Sequence, residues 1–184
     1  MHKLLSGLVV GTLLFAPTAF GAARDAYSQE EILAQVEHFF GQGAQGLAEV
    51  VQKAFADHGE PNAYIAGEEA AGAIGVGLRY GDGTLRMKTG PQRKVYWQGP
   101  SLGVDLGANV SKVFVLIYHL PNPDALFQRL PGVEGSLYFV GGVGMNYLQS
   151  GPVVVAPIRF GAGWRQGLSL GYINFTREPR VNPF

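Results

Sequence analysis

The chain has 184 residues, no cysteine, and equal numbers of basic and acidic side chains, 14 of each. Lack of cysteine excludes a disulfide framework and a thiol-linked lipid anchor. An apolar fraction of 47% excludes a disordered or collagenous chain.

The N-terminus reads as a secretory signal over residues 1–23. Lys3 supplies the positive end, Leu4 to Ala16 is a short and mostly apolar run, and small residues fit cleavage after Gly21 or Ala23. The run is shorter than the roughly 20 apolar residues of a spanning helix. Residues 24–184 then form one domain, with a helical front at 24–60, a β-barrel at 70–175 and an extended tail at 176–184. The front is acidic, with nine acids against Arg24 and Lys53 between Arg24 and Gly75. From Val76 onward, eleven bases face five acids. This split predicts pairing between the two parts or an anionic partner for the body.

Ser28 with Glu31 three positions on is a capping box, and Ile32, Leu33, Val36, Phe39 and Phe40 follow at helical spacing. The run Gly41-Gln42-Gly43 stops this helix. Leu47, Val50, Val51, Ala54 and Phe55 mark a second amphipathic helix, ended by Asp57-His58-Gly59 and Pro61. Strands are expected near 72–80, 84–89, 93–98, 101–108, 111–119, 136–148, 152–160 and 164–175. Gly81-Asp82-Gly83 and Gly90-Pro91-Gln92 read as hairpin turns, and Pro157 marks an edge or a bulge. Asn122-Pro123-Asp124 caps a short helix over 123–130, which Pro131-Gly132 ends. The fold class is mainly β: a small soluble antiparallel β-barrel with two N-terminal amphipathic helices and one short helix.

Within the strands, glycine alternates with large apolar residues, as in Ile74-Gly75-Val76-Gly77-Leu78. One face carries the apolar side chains. The other carries glycine and one polar residue: Arg79, Asp105 or Ser169. Such a shallow face offers the stripes around Phe39 and Phe55 a docking surface and leaves little side-chain volume for a catalytic constellation.

Candidate chemistry is sparse. Gly75-x-Gly77 and Gly161-x-Gly163 have the wrong spacing for a nucleotide loop and sit inside strand patterns. His38, His58 and His119 are scattered, so no metal site is expected. His38 reads as solvated and His119 as a strand-end residue. Gly167-Leu168-Ser169-Leu170-Gly171 matches a nucleophile elbow in letters, but it falls mid-strand. Glu68 and Glu69 are adjacent, so on a strand they diverge, and a solvated loop is the simpler reading. No enzyme activity, cofactor or nucleic-acid partner is expected.

The basic cluster stands out. Arg79, Arg86, Lys88, Arg93 and Lys94 fall close together, with Tyr80, Tyr96 and Trp97 interleaved. Arg86 and Lys88 share one strand face, opposite Leu85 and Met87. Outside the cytoplasm such a strand suits lipid headgroups, lipid A phosphates or cell-wall polymers. The competing reading is a solubilising face paired with the acidic helices. Phe184 ends the chain as in an outer-membrane barrel, but Pro179 and Pro183 do not suit a closing strand.

The run Pro61-Asn62-Ala63-Tyr64-Ile65-Ala66-Gly67-Glu68-Glu69, leading into Gly77-Leu78-Arg79-Tyr80-Gly81, resembles the EipA (envelope integrity protein A) family of exported Gram-negative proteins. So does the tail, from Val155-Ala156-Pro157-Ile158-Arg159 through Gly171-Tyr172-Ile173-Asn174-Phe175-Thr176 to Asn182-Pro183-Phe184. The resemblance implies a periplasmic small β-barrel that supports cell-envelope integrity, and it carries over no catalytic residues. A weaker similarity, over residues 99–108 and the elements after them, is to SYLF domains, which bind acidic lipids. Three readings follow: a module that binds an anionic envelope lipid through Arg79, Arg86, Lys88, Arg93 and Lys94; a scaffold for envelope-biogenesis proteins; or an outer-membrane β-barrel.

Overall fold

The computed structural model describes residues 25–41, 46–160 and 171–180, and for 71–76 and 101–109 it describes the backbone alone. The expected signal segment, Ser169 and the side chain of Asp105 lie outside the described residues.

Two helices open the chain, α1 (Gln29–Phe40) and α2 (Leu47–His58). The capping box forms: Ser28 Oγ accepts from the Glu31 amide at 3.3 Å, and Glu31 Oε2 accepts from the Ser28 amide at 2.9 Å. Gly41 ends α1 at φ +106° and Gly59 ends α2 at φ +75°. Gly46 starts α2 at φ +85°, and a Cβ there would lie 2.2 Å from the Val140 carbonyl oxygen.

Two long strands dominate the rest, β1 (Ala63–Met87) and β2 (Arg93–Tyr118), paired antiparallel along nearly their whole length. A short 3-10 turn (Pro123–Leu126) follows, then β3 (Arg129–Pro131), β4 (Tyr138–Val140), β5 (Val143–Met145), β6 (Leu148–Ser150), β7 (Val153–Phe160) and β8 (Tyr172–Thr176). The sheet path runs β3-β8-β2-β7-β5-β4, with β1 on β2 and β6 on β7. A bridge between Gly132 and Leu148 links the β3 side to β6, so the sheet curls back on itself. The first half of β1 also lies beside its second half, since Lys88 N donates to the Asn62 carbonyl at 3.0 Å. The result is a mainly β, barrel-like fold with two helices.

The two faces of the curled sheet carry two cores. Odd-numbered residues of β1, β2 and β7 point inward, and Ile65, Leu85, Val95, Trp97, Val115 and Phe175 fill the interior. Even-numbered residues point outward, and Tyr64, Phe114, Leu116, Tyr118, Ala156 and Ile158 pack under Ile32, Val36, Val50 and Val51 of the helices. A filled apolar interior and a helix-covered outer face are the reverse of a polar lumen with a lipid-facing band. The described strands therefore do not follow the outer-membrane pattern. No helix among the described residues is long and apolar enough to cross a membrane.

Several expected boundaries move. Gly81-Asp82-Gly83 is strand interior and not a hairpin turn. Its glycines serve close packing: a Cβ on Gly81 would lie 2.2 Å from the Trp97 ring, and one on Gly83 would lie 2.8 Å from the Ala66 carbonyl oxygen. The glycine face is therefore turned to the interior under Trp97, and the helices dock on the opposite face. Gly90, at φ +119°, is the true turn between the long strands. Gly141 and Gly142, both at positive φ, break the expected strand 136–148 into shorter pieces. The short helix keeps its Asn122 cap, which accepts from Ala125 N at 3.0 Å, but shrinks to one 3-10 turn because β3 already begins at Arg129. Pro157 sits in a central strand, opposite Val115, where its other neighbour changes from β5 to β6. That gap in the ladder accommodates a residue without an N–H.

Candidate binding site

The structure separates the five expected site residues. Arg79 is inward-facing and partly buried, with its side chain 13% exposed. Its Nε lies 3.1 Å from Glu69 Oε1, an approach off the N–H axis that makes it a charge contact and not a hydrogen bond. Lys94 pairs with Asp82, Arg93 pairs with Asp124 at 3.0 Å, and Lys88 reaches Glu31 of α1 at 2.5 Å. The Lys88 pair joins the acidic front to the basic body. Arg86 differs: its Nε is buried without a hydrogen-bond partner, and among the described residues it forms no ion pair.

Arg86 reaches a cleft of about 590 Å³ between α1 and the outer sheet face. Strand alternation puts it there, since Leu85 and Met87 turn to the interior core. Gln35, His38 and Phe39 of α1 form one wall, and Tyr64, Ala66 and Phe114 form the other. Tyr64 stacks on Phe114 with ring centroids 4.9 Å apart, and Tyr27 meets Tyr64 edge-on at 5.3 Å. The Tyr64 hydroxyl donates to Gln35 Oε1 at 3.1 Å, which ties the sheet wall to the helix wall. Two more cations flank the cleft. Lys88 Nζ is 4.8 Å from the Tyr27 ring centroid, and Lys112 Nζ is 5.3 Å from that of Phe39 while donating to the Phe39 carbonyl at 2.9 Å. Burial raises the Tyr27 hydroxyl above its ordinary pKa, as do the nearby Tyr64 and Glu31, with the Arg86 charge opposing. Chemically, this is a cationic group without a counter-ion among the described residues, set among aromatic rings and suited to an anion that carries an apolar body.

Sequence reasoning missed a second cluster, inside the barrel. Glu69 is 4% exposed and Arg159 is 5% exposed. Arg159 holds Glu69 through Nε and Nη2, and Trp97 Nε1 donates to Glu69 Oε2 at 3.0 Å. Burial alone would raise the Glu69 pKa, but the charges of Arg159 and Arg79 and these hydrogen bonds bring it down to about 2. Glu68 is exposed, so the two carboxylates do diverge; Glu69, however, is no solvated loop residue. A carboxylate held ionised by two guanidinium groups is a poor proton shuttle at neutral pH. The lone Arg79 on the glycine face was the available signal, because a cation aimed into a barrel needs a buried counter-charge. His38 lines the Arg86 cleft and is exposed, in line with the solvated position expected for it. His119 follows β2 exposed, at φ +55°. No cluster of potential metal ligands occurs among the described residues.

The family model of envelope integrity protein A matches residues 25–184. A crystal structure of a beta-barrel-like, uncharacterized protein from Brucella abortus is 45% identical to this chain, with a TM-score of 0.80, covering 88% of this chain and all (100%) of that one. No functionally curated protein matches the chain. Neither matching description names a reaction.

Proposed function

From the premise that this chain belongs to the EipA family, whose name supports a role in envelope integrity, we propose that it acts in the periplasm, without catalysis, by binding an anionic envelope lipid in the cleft between α1 and the sheet. One observation carries the reading: among the described residues Arg86 is the cation of the basic cluster without an acidic partner, and it lines a ring-walled cleft. The headgroup of such a lipid supplies the missing counter-charge, and its acyl or glycerol portion lies against Tyr64, Phe39 and Phe114. Lys88 and Lys112 on the flanks attract the anionic surface on which that lipid is found. Arg93 and Lys94 are matched by Asp124 and Asp82 and take a lesser part. Arg79 is spent on Glu69 inside the barrel.

Co-sedimentation with phosphatidylglycerol vesicles tests the proposal, with phosphatidylcholine vesicles as the neutral control. The protein should pellet with the anionic vesicles alone, and Arg86→Glu should remain in the supernatant with an unchanged melting temperature. Equal pelleting of wild type and Arg86→Glu would sink the assignment to this cleft. Absence of vesicle binding, together with specific recovery of envelope proteins, would favour the scaffold reading.

A further inference from the structure

A second cleft, of about 440 Å³, lies on the other half of the long hairpin. Its floor is a square of four side chains on one face of the paired strands: Tyr80 opposite Gln98, and Asp82 opposite Tyr96. The two rings are thus diagonal neighbours, a spacing that aromatic side chains bridge. Glu68, Val110, Pro179 and Arg180 contribute to the walls.

Three features describe what fits. Gln98 is 1% exposed; its Oε1 accepts from Thr176 Oγ1 at 3.4 Å, whereas its Nε2 is buried without a partner among the described residues. A buried donor left unmade is costly, so the complementary ligand brings an acceptor. The nearby charges are already matched, Asp82 by Lys94 and Glu69 by Arg79 and Arg159, and Glu68 and Arg180 on the walls carry opposite signs. That balance favours a neutral ligand. Finally, Tyr80 and Tyr96 offer flat apolar surface beside carboxylates that accept from hydroxyl groups.

We propose that this cleft binds a neutral, N-acetylated sugar. Its C–H face lies on the tyrosine rings, its acetamido carbonyl accepts from Gln98 Nε2, and its hydroxyls donate to Glu68 or Asp82. Lys94, whose Nζ is 5.7 Å from the Tyr96 ring centroid, adds a donor at the rim. The site is separate from the Arg86 cleft and does not depend on lipid binding there.

The probe is the tetramer of N-acetylglucosamine, titrated into the full chain and followed by amide and indole signals in proton–nitrogen spectra. Saturable shifts should centre on Trp97 and Gln98. Affinity should fall roughly tenfold or more in Tyr96→Ala, the size expected for losing one well-made contact of about 1.4 kcal/mol. Tyr80→Ala serves as the second variant where Tyr96→Ala fails to fold. Arg86→Glu should bind the sugar as wild type does. No shift at millimolar sugar, shifts centred elsewhere, or shifts unaltered by the tyrosine variants would each overturn the proposal.

Discussion

Arg159 grips Glu69 in a two-pronged pair, Nε to Oε1 at 3.0 Å and Nη2 to Oε2 at 3.1 Å, inside the barrel. Trp97 and Arg79 complete the shell around the carboxylate, and Gly81 clears the space that the Trp97 ring occupies. The polar residue on the glycine face, Arg79, is therefore one of three charges in an interior cluster that ties β1 to β7. Removing one member leaves the others without compensation.

Glu69→Gln should destabilise the fold by about 3–5 kcal/mol, because it leaves the buried Arg159 guanidinium and the partly buried Arg79 facing a neutral amide. Urea unfolding of wild type and variant measures this. A difference below about 1 kcal/mol would mean that the cluster is well hydrated.

The same carboxylate predicts an acid limb. Its pKa falls from the ordinary 4.5 of an unfolded glutamate to about 2 when folded. The stabilisation is fully present above the unfolded value and is lost as pH falls from there through the folded value. Over that window the unfolded chain binds the proton first, so stability declines, by on the order of 3 kcal/mol from this group. Urea midpoints measured from pH 7 downward should show wild type losing stability below about pH 4.5 more steeply than Glu69→Gln. Parallel pH profiles would contradict the assignment.

Gly81→Val should cost about 1–3 kcal/mol or more, since even a Cβ would fall 2.2 Å from the Trp97 ring. Near-ultraviolet circular dichroism and melting temperature read this directly. An unchanged melting temperature would show that the ring moves aside freely.

Lys88→Ala should cost less than about 1 kcal/mol, because its pair with Glu31 is partly exposed, at 24% and 49% for the two side chains. The same variant should weaken anionic-vesicle binding only modestly, in contrast to Arg86→Glu. Equal loss in the two variants would place the ligand on the surface of the strand and not in the cleft.

The helices were fully legible, because the Ser28–Glu31 box and the Ile32, Val36, Val50 and Val51 stripes obey local rules that the fold does not override. The barrel class was legible from strand periodicity. Strand lengths were not, since glycine signals both a turn and a close approach. Gly90 is the first of these and Gly81 the second, and only the distant Trp97 tells them apart. The basic cluster was visible as composition, yet its division depended on partners far along the chain: Glu31 for Lys88, Asp124 for Arg93 and Glu69 for Arg79. Glu69 itself was misread because burial of a carboxylate is set by Arg159, 90 residues away.

The central claim rests on the Arg86 guanidinium taking an anion between α1 and the sheet. The most direct measurement follows the Arg86 Nε–H signal in proton–nitrogen spectra while short-chain, soluble phosphatidic acid is added. The account predicts a saturable shift of that signal, with ligand contacts to the Tyr64 and Phe114 rings. An Arg86 signal that stays in place while the lipid binds elsewhere, or does not bind, would contradict it.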